Sequence, residues 1–497
     1  MTTRKSLITA LIALALGVGI AIPVGFIWII TTAKLELGGG SPGKKVVGTV
    51  ARIEQRAMEQ YCTGVVATPQ NTWLVGRREQ AKNTDDQPGI DLDALIHGKA
   101  EQPKEDKPSG FMGYYGLSFG RDPTTTYLSR LDDKGEFVQV ASLGETACLV
   151  ATPDGGSIFL LTGMDRPGLD RLNGIQQTVI LRSDDQGANW TVLEDGLFPE
   201  ASNLGWALHP YFFDARQAWA WGSLPQKSSQ YYGDPDDLRG GLFYSPDSGL
   251  TREAITASDD LLVNLNTIRS RAPADANWGD YNGVYGQITT HIQQFDDLHA
   301  AIWVSQSFLY GPSGGKYLTT SLFVTSQARL VRENGQWRME PLEREYGLHV
   351  DELANNGEGL VIGVIRQDGE KRGQVAQLNP KTLAWKVHGA LPSAFSPLPS
   401  SIYLREFRVG KGVLLANTDG NYTVPTWLYP ARNGDAASLS ANAVFYSTNW
   451  GRSWSRLAMG GYLGMLGLDP GTDRVFWANG NWYDNRQDLN IYSYQLD

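Results

Sequence analysis

The sequence is poor in the residues that most often bind metal ions. It contains two cysteines and six histidines among 497 residues, and no two histidines have the spacing His-x-x-x-His. Zinc sites usually combine closely spaced histidines and cysteines. No glycine-rich segment stands between a predicted strand and a predicted helix, which is the position of a phosphate-binding loop. We therefore predict neither a metal site nor a bound cofactor.

The sequence also lacks an excess of basic residues. Lysine and arginine together number 43, against 53 aspartates and glutamates, and the formal net charge is −10. Proteins that bind nucleic acid present a basic surface to the phosphate backbone. The acidic balance therefore argues against nucleic acid as a partner.

One long segment near the start lacks charge altogether. Residues 6–33 carry no charged side chain, and residues 7–30 are almost wholly apolar. A helix needs about 20 such residues to cross a bilayer core. Because Arg4 and Lys5 precede the span, we expect residues 1–5 to stay in the cytoplasm and the bulk of the chain to be exported. This pattern predicts a single-pass protein of a bacterial inner membrane, with residues 6–33 as its helix and residues 46–497 in the periplasm.

Two further features accompany the apolar span. Small residues recur every four positions, and a helix would place them on one face that lets a second copy approach and form a homodimer: Ala13, Gly17, Ala21 and Gly25. Such residues are also common in membrane helices that do not pair. Residues 34–45 are rich in glycine and predict a flexible linker. The alternative to an anchor is a signal peptide cleaved after Ala33, although its apolar core would be unusually long.

The two cysteines suit an exported domain. Cys62 precedes Val66-Ala67-Thr68-Pro69, and Cys148 precedes the nearly identical Val150-Ala151-Thr152-Pro153. Each cysteine therefore lies just ahead of an equivalent strand in two successive units. An even count outside the cytoplasm favours a disulfide between Cys62 and Cys148. The alternative is a pair of buried free thiols.

Three stretches of the sequence follow one pattern, Ser-x-Asp-x-Gly-x-x-Trp. We call residues 183–190, 245–252 and 447–454 the box motifs. Each follows a short apolar run, and the second and third copies depart from the pattern at one position each, Arg252 and Asn449. The residues that carry the pattern are Ser183, Asp185, Gly187, Trp190, Ser245, Asp247, Gly249, Ser447, Asn449, Gly451 and Trp454. A unit that recurs at distant positions indicates a repeat architecture.

The box motifs have the chemistry of a tight turn between strands. The serine and aspartate oxygens can accept hydrogen bonds from nearby backbone N–H groups, and glycine supplies a positive φ. The pattern resembles the Asp-box, or BNR repeat, of sialidase-like β-propellers, where it joins the third and fourth strands of a blade. That resemblance implies a propeller fold, and it implies a structural rather than a catalytic role for the box residues.

The rest of the sequence predicts the blade count and the closure of the ring. Apolar runs separated by a dipeptide ending in proline recur before the box motifs, and other hairpins turn at Asp133-Lys134-Gly135, Asn334-Gly335 and Asn379-Pro380. We predict an all-β fold, a six- or seven-bladed propeller preceded by one transmembrane helix. Residues 46–53 and 489–496 both alternate with period two, and we expect them to pair and close the ring.

Long insertions recur at one place in the predicted blades, between the second and third strands. They cover residues 79–110, 163–176, 222–240 and 430–442. Because strands alternate in direction, these insertions should lie on the face opposite the box motifs, and such a face often binds the partner. The residues that we expect to contact the partner are Asp165, Arg166, Tyr231, Tyr232, Asp234, Asp236 and Asp237. For the tyrosines and aspartates, the alternative is a solvated acidic loop with packed aromatic rings.

The resemblance to sialidases requires a search for their catalytic residues. That family has an Arg-Ile-Pro motif before its first Asp-box, and this sequence has none there. The nearest match, Arg271-Ala272-Pro273, follows two box motifs instead. We therefore predict no catalytic residue and expect a binding module that recognises a protein partner in the periplasm or at the envelope. It would neutralise a toxin delivered to the periplasm or assist the assembly of an envelope complex. The alternative is a glycoside hydrolase that acts on envelope or host glycans.

Overall fold

The structure is a computed structural model and is almost entirely β-sheet. It describes residues 44–51, 65–79, 90–92, 95, 124–134, 137–143, 147–162, 179–193, 209–225, 238–255, 261–263, 265–278, 288–311, 320–356, 359–370, 372–395, 401–423, 438–460, 462–469, 473–480 and 488–496. These residues form thirty strands and one short helix, α1 (Leu265–Arg269). The strands form seven blades of a β-propeller, which narrows the predicted six or seven to seven.

The first three blades occupy the first half of the chain. The chain enters the ring as β1 (Lys44–Ala51), which belongs to the last blade. Blade 1 contains β2 (Val65–Ala67), β3 (Thr72–Glu79), β5 (Thr124–Leu131) and β6 (Phe137–Leu143), with β4 (Ile90–Asp91) added parallel to β6. Blade 2 contains β7 (Ala147–Ala151), β8 (Ile158–Thr162), β9 (Val179–Ser183) and β10 (Thr191–Leu193). Blade 3 contains β11 (His209–Phe212), β12 (Ala218–Pro225), β13 (Leu238–Ser245) and β14 (Glu253–Ile255).

The remaining blades follow the same antiparallel order. Blade 4 contains β15 (Ile288–Gln294), β16 (His299–Tyr310), β17 (Thr320–Glu333) and β18 (Gln336–Pro341), and β19 (Glu345–Tyr346) also pairs with β17. Blade 5 contains β20 (Leu348–Asn355), β21 (Val361–Gln367), β22 (Gln374–Leu378) and β23 (Trp385–Ala390). Blade 6 contains β24 (Ser401–Val409), β25 (Leu414–Thr423), β26 (Ser438–Ser447) and β27 (Ser455–Gly460). Blade 7 contains β28 (Tyr462–Leu468), β29 (Arg474–Gly480), β30 (Asp488–Gln495) and, as its outermost strand, β1.

The two ends of the propeller pair with each other, as the sequence predicts. β1 and β30 are antiparallel, with Val47 opposite Ile491 and Val50 opposite Leu489. The first strand of the chain therefore completes the last blade and leaves no open edge there. Ala51 at the end of β1 also pairs with Arg77 of β3, so blades 7 and 1 share hydrogen-bonded backbone.

The hydrophobic core lies between successive blades. The second strand of a blade carries its largest buried side chains, such as Trp73 on β3, Trp219 on β12, Trp303 on β16 and Trp477 on β29. Full burial of one large apolar side chain contributes about 1.5–3 kcal/mol. Because each cluster includes residues of adjacent blades, this burial holds the blades in their order around the ring.

The alternation of strand direction gives the ring two different faces. The box face carries the first-to-second and third-to-fourth connections of each blade, including the three box motifs. The insertion face carries the second-to-third connections and the links between blades. The longest second-to-third connections span residues 80–123, 163–178, 226–237 and 424–437. The predicted insertions therefore all fall on one face, opposite the box motifs.

Several predictions fall outside the described residues. The apolar span 6–33 with its small residues Ala13, Gly17, Ala21 and Gly25 is among them, as is Cys62. No helix in the described part of the chain is long and apolar enough to cross a membrane. Cys148 lies on β7 opposite Leu161. The anchor, the homodimer and the disulfide therefore stay predictions.

Candidate functional site

The box motifs form three equivalent turns on the box face. In each, the backbone N–H of the glycine donates to the serine hydroxyl, at 2.9 Å for Gly187 and Ser183 and 2.8 Å for Gly249 and Ser245. Gly451 and Ser447 make the same bond at 2.9 Å. The three glycines have φ values of 81°, 89° and 82°, a region that other residues adopt at a cost. The glycines are therefore required by the turn itself.

The third position of each box motif holds the far side of the turn. Asp185 accepts from the N–H of Asn189 at 2.8 Å, and Asn449 accepts from the N–H of Ser453 at 2.9 Å. Hydrogen bonds from Asn189 lower the pKa of Asp185. An amide oxygen therefore replaces the carboxylate in the third motif without changing the bond. These groups are occupied by their own turns, so the box residues serve structure.

The final position differs among the three motifs. The Trp190 indole donates to the carbonyl of Gly187 within its own turn, whereas the Trp454 indole donates to the carbonyl of Ala390 in blade 5. Arg252, which replaces the tryptophan, places its guanidinium 5.4 Å from the ring centre of Phe243. In each motif a planar side chain packs on the adjacent strand or blade. The planar guanidinium of Arg252 can therefore take the place of an indole ring.

The insertion residues predicted to bind a partner belong to two long connections on the insertion face. Asp165 and Arg166 belong to the connection between β8 and β9, and Tyr231, Tyr232, Asp234, Asp236 and Asp237 belong to the connection between β12 and β13. These seven residues lie outside the described part of the chain. The strands that flank them are described, and they fix both connections to the insertion face.

The link between blades 3 and 4 lies on the insertion face, and its described part packs against blade 4. Residues 261–263 and 265–278 belong to the connection between β14 and β15, and Val263 exchanges two hydrogen bonds with the Gln306 side chain, at 2.7 and 3.2 Å. The Arg271 guanidinium lies 3.3 Å from the ring centre of Tyr346. Burial raises the pKa of Asp368, while the N–H of Phe323 and the charge of Arg271 oppose the shift. Arg271 therefore interacts with the Tyr346 ring and with the charge of Asp368.

A buried polar cluster lies on the innermost strand of blade 5. The Arg366 guanidinium makes three bonds of 2.6 to 2.9 Å to Asp351, and His349 Nδ1 lies 3.0 Å from the same carboxylate. Burial opposes ionisation of Asp351, but His349 and Arg366 together hold its pKa below the ordinary value. His349 is only 1% exposed. His349 and Asp351 are thus enclosed, while the Arg366 side chain is 25% exposed.

A second histidine borders this cluster from blade 4. Burial, together with the nearby His349, lowers the pKa of His291 to about 4. His291 Nε2 has no hydrogen-bond partner among the described residues. His291 is consequently neutral at physiological pH. No group of three histidine, cysteine, aspartate or glutamate side chains in the described ranges is arranged to hold a metal ion.

Blade 6 repeats the inner-strand ion pair with the charges exchanged. Arg405 on β24 donates through Nε to Asp419 on β25, and Asn442 on β26 donates to the other oxygen of Asp419 at 2.6 Å. The Arg405 and Asp419 side chains are 46% and 24% exposed, against 25% and 14% for Arg366 and Asp351 of blade 5. The pair in blade 6 therefore stands in contact with water.

A β-bulge positions the inner-strand member of each pair. In β20 the register shifts between Val350 and Glu352, and in β24 it shifts between Leu404 and Glu406. A bulge turns an extra side chain out of the regular alternation and is often found beside functional sites. The sequence marks both bulges with two adjacent charged residues in an otherwise alternating strand: Asp351-Glu352 and Arg405-Glu406. Neither this signal nor the two ion pairs are among the sequence-based predictions.

Glu352 is a carboxyl group whose surroundings favour its protonated form. Burial raises its pKa to about 7, while Arg408 lowers it and the charges of Asp351 and Glu406 raise it further. Perturbed carboxyl groups beside a second carboxylate are found in many acid–base active sites, although structural networks also produce them. Glu352 lies on the innermost strand of blade 5 and faces Arg408 and Glu406 of blade 6.

Comparison with known proteins yields no family. No family model matches the chain, and no curated protein matches it. Solved structures of similar shape include an oligogalacturonate lyase from Vibrio parahaemolyticus at 10% identity and TM-score 0.43, covering 91% of this chain and 92% of that one. A polysaccharide lyase of family PL25, an ulvan lyase, has 10% identity and TM-score 0.43, with 91% and 95% covered. A prolyl endopeptidase has 11% identity and TM-score 0.40, and the match covers 75% of this chain but only 44% of that enzyme.

Proposed function

We propose that this protein is a membrane-anchored periplasmic propeller whose insertion face binds a protein partner. The observation that carries the proposal is the asymmetry between the two faces. The third-to-fourth connections on the box face are short, hydrogen-bonded turns, as at Asp185 and Asn449. The long connections, including residues 163–178 and 226–237, all leave from the insertion face. In repeat proteins, insertions gathered on one face usually form the binding surface.

The chemistry of the insertions supports a basic partner. The connection between β12 and β13 holds three aspartates and two tyrosines within seven residues, Tyr231 to Asp237 in the sequence Tyr-Tyr-Gly-Asp-Pro-Asp-Asp. Tyrosine supplies rigid contact area at protein interfaces, and aspartates attract basic patches and accelerate association. A toxin that enters the periplasm is one partner of this kind, and a subunit of an envelope complex is another.

Site-directed crosslinking tests the proposal. A photoreactive residue in place of Tyr232 in the full-length chain should capture a specific envelope or imported protein in the native host, and the same residue in place of Asp133 on the box face should not. Changing Asp234, Asp236 and Asp237 to asparagine should weaken capture and reduce its salt dependence. Equal capture from both faces, or no capture at the insertion face, would refute the proposal.

A protection assay separates the two kinds of partner. If the protein neutralises a toxin, cells that lack it should be killed by a neighbouring strain that delivers the toxin, and expression of the full chain should restore survival. If the partner is a subunit of an envelope complex, deletion should instead reduce the amount of that complex with no attacker present. Survival and complex level that are both unchanged would oppose both versions.

Glycoside hydrolysis is the second candidate, and one observation favours it. The pKa of Glu352, raised to about 7 by burial, suits a general acid near neutral pH, and Glu406 supplies a carboxylate beside it. The test is hydrolysis of fluorogenic glycosides, sialosides included, by the full chain. A genuine activity should fall at least a hundredfold in Glu352→Gln. An inert wild-type protein, or an activity that Glu352→Gln leaves unchanged, would eliminate this candidate.

A further inference from the structure

The contact between blades 4 and 5 is polar at its inner end, where β20 packs against β15, β16 and β17. Ser305 of blade 4 accepts a hydrogen bond from the N–H of Val350 at 3.0 Å, and Thr325 donates to the carbonyl of Leu348 at 2.7 Å. The hydroxyls of Ser305 and Thr325 also bond to each other at 2.8 Å. We call this contact the 4–5 junction. Its inner end depends on hydrogen bonds between side chains of blade 4 and the backbone of blade 5.

Two buried histidines lie at the inner end of the 4–5 junction, one on each blade. His349 on β20 is 1% exposed, and its charge acts on His291 of β15. The Nε2 atoms of both rings are buried without a hydrogen-bond partner among the described residues. In a neutral imidazole one ring nitrogen is an uncharged acceptor, whereas a protonated imidazole has two N–H donors and a positive charge that require compensation. The junction therefore suits neutral rings and opposes their protonation.

The charges around the two histidines are already balanced. The carboxylate that acts on His291 is Asp351, and the Arg366 guanidinium makes three hydrogen bonds of 2.6 to 2.9 Å to it. His349 Nδ1 lies 3.0 Å from the same carboxylate. On its own blade, His291 is paired with Trp303 of β16, which carries no charge. A proton on either imidazole therefore adds a positive charge beside Arg366 that Asp351 alone must offset.

We propose that the 4–5 junction is an acid-operated switch, in which protonation of His291 and His349 separates the inner strands of blades 4 and 5. Separation lets water accept from both rings and weakens the repulsion between two buried positive charges. The outer part of the junction is apolar, with Leu378 and Trp385 packed around Trp303, so it can hold the blades together while the inner strands part. The switch opens a cleft beside the axis of the ring and leaves the propeller folded.

The junction of blades 2 and 3 provides an internal control. Its cluster is apolar: Phe159 of blade 2 stacks on Phe212 of blade 3 with 4.8 Å between ring centres, and Ala220 and Phe243 complete the contact. These side chains bind no proton, so acid should leave this junction closed. The switch also uses none of the insertion residues, and it therefore does not depend on the proposed protein partner.

Hydrogen–deuterium exchange of the full-length chain, followed by mass spectrometry at pH 7.5 and pH 5.0, tests the switch. Burial and His349 lower the pKa of His291 to about 4, and the pKa returns to about 6.5 once the strands part. Proton linkage at His291 then makes the open state about thirtyfold more populated at pH 5.0 than at pH 7.5. After correction for intrinsic exchange rates, amides of β15 and β20 should lose protection by that factor. Amides of β8 and β11 should keep theirs.

Two variants assign the effect to the buried ring. His291→Gln keeps a neutral polar side chain that takes up no proton, so the loss of protection in β20 should fall below about threefold. His299→Gln replaces an exposed histidine of the box face and should behave like the wild type. Glu352, whose pKa is raised to about 7, faces Arg408 and Glu406 of blade 6 and titrates in all three proteins.

Each outcome decides for or against the switch. The comparison of the two junctions within the wild type needs no variant, so it remains valid if His291→Gln does not fold. Equal loss of protection at both junctions would show that acid loosens the whole ring and would overturn the proposal. Full protection of β20 at pH 5.0, or a loss that His291→Gln retains, would overturn it as well.

Discussion

Blades 5 and 6 contain the same arrangement of an inner-strand ion pair, but the two pairs differ in their exposure to solvent. Each has a bulge in its innermost strand that directs a charged side chain to an opposite charge on the second strand, Asp351 to Arg366 in blade 5 and Arg405 to Asp419 in blade 6. The pair in blade 5 is the more enclosed: Asp351 and Arg366 are 14% and 25% exposed, against 24% and 46% for Asp419 and Arg405. Burial raises the penalty for leaving a charge unpaired. The same geometry therefore joins the two inner strands of a blade in both places, and an unpaired charge would cost more in blade 5.

The largest loss of folding stability should come from breaking the Asp351–Arg366 pair of blade 5. Asp351→Asn leaves the Arg366 guanidinium with little compensation, and removing one partner of a buried pair costs about 3–5 kcal/mol. Chemical denaturation followed by tryptophan fluorescence should show a large fall in the midpoint. A change smaller than about 1 kcal/mol would mean that water reaches this pair as well.

The junction of blades 4 and 5 should also be sensitive to acid. The pKa of His291 is about 4 in the folded state because of burial and the neighbouring His349, against an ordinary value of 6.5. The unfolded chain therefore takes up the proton first, and stability that is complete above pH 6.5 is lost as the pH falls toward 4. That shift corresponds to about 3 kcal/mol.

A variant isolates this contribution from the other titrating groups. His349 and Asp351 face His291 from blade 5, and Glu352, whose pKa is raised to about 7, acts with the opposite sign between pH 4.5 and 7. The stability difference between wild type and His291→Gln cancels the groups that the two proteins share. This difference should shrink by about 3 kcal/mol from pH 7 to pH 4. A constant difference would show that His291 does not titrate in this way.

A moderate loss of folding stability should follow from substitutions in the third-to-fourth turns of blades 5 and 6. Blade 6 closes its third-to-fourth connection with a box motif, in which Ser447 accepts from Gly451, whereas blade 5 uses the oxygen of Asn379, which accepts from Lys381. Ser447→Ala should lower the free energy of unfolding by about 1–2 kcal/mol, because the N–H of Gly451 is then left buried without a partner. Asn379→Ala lies in an exposed turn and should lose less. Equal losses, measured by denaturation, would contradict this ranking.

The smallest loss of folding stability should come from breaking the Arg405–Asp419 pair of blade 6. Asp419→Asn removes the charge that Arg405 contacts, but exposed ion pairs contribute only about 0.2–1 kcal/mol and are screened by salt. The same isosteric substitution should thus be nearly silent in blade 6 and severe in blade 5. A loss in Asp419→Asn that matches Asp351→Asn would remove the distinction between the two blades.

The sequence predicts the turns and the closure of the ring, but it does not predict the polar clusters on the inner strands. Turn residues are local, so the hairpin at Asn334-Gly335 and the box motifs are visible in short stretches, and the two residues have φ values of 51° and 84° as such a turn requires. The pairing of β1 with β30 follows from two alternating end segments and the need to close a sheet. The count of seven blades needed the structure, because blades without a box motif have variable spacing.

The polar clusters were harder to predict for a physical reason. Arg366 and Asp351 are fifteen positions apart, and only the register of β20 against β21 brings them together. One inserted residue in a strand reverses the side on which later side chains lie, so a bulge changes the identity of the partners. The adjacent charges Arg405-Glu406 indicate where such an insertion occurs, but they do not indicate what the displaced side chain meets.

The closure of the ring by its first strand also determines where the chain leaves it. β1 begins at Lys44 opposite Ser493, near the end of β30 that lies at the box face, and it runs toward the insertion face. The described chain therefore enters the ring at the box face. If residues 6–33 anchor the protein, the tether is joined to the ring at the box face. The insertion face is then the one that lies farther from the point of attachment.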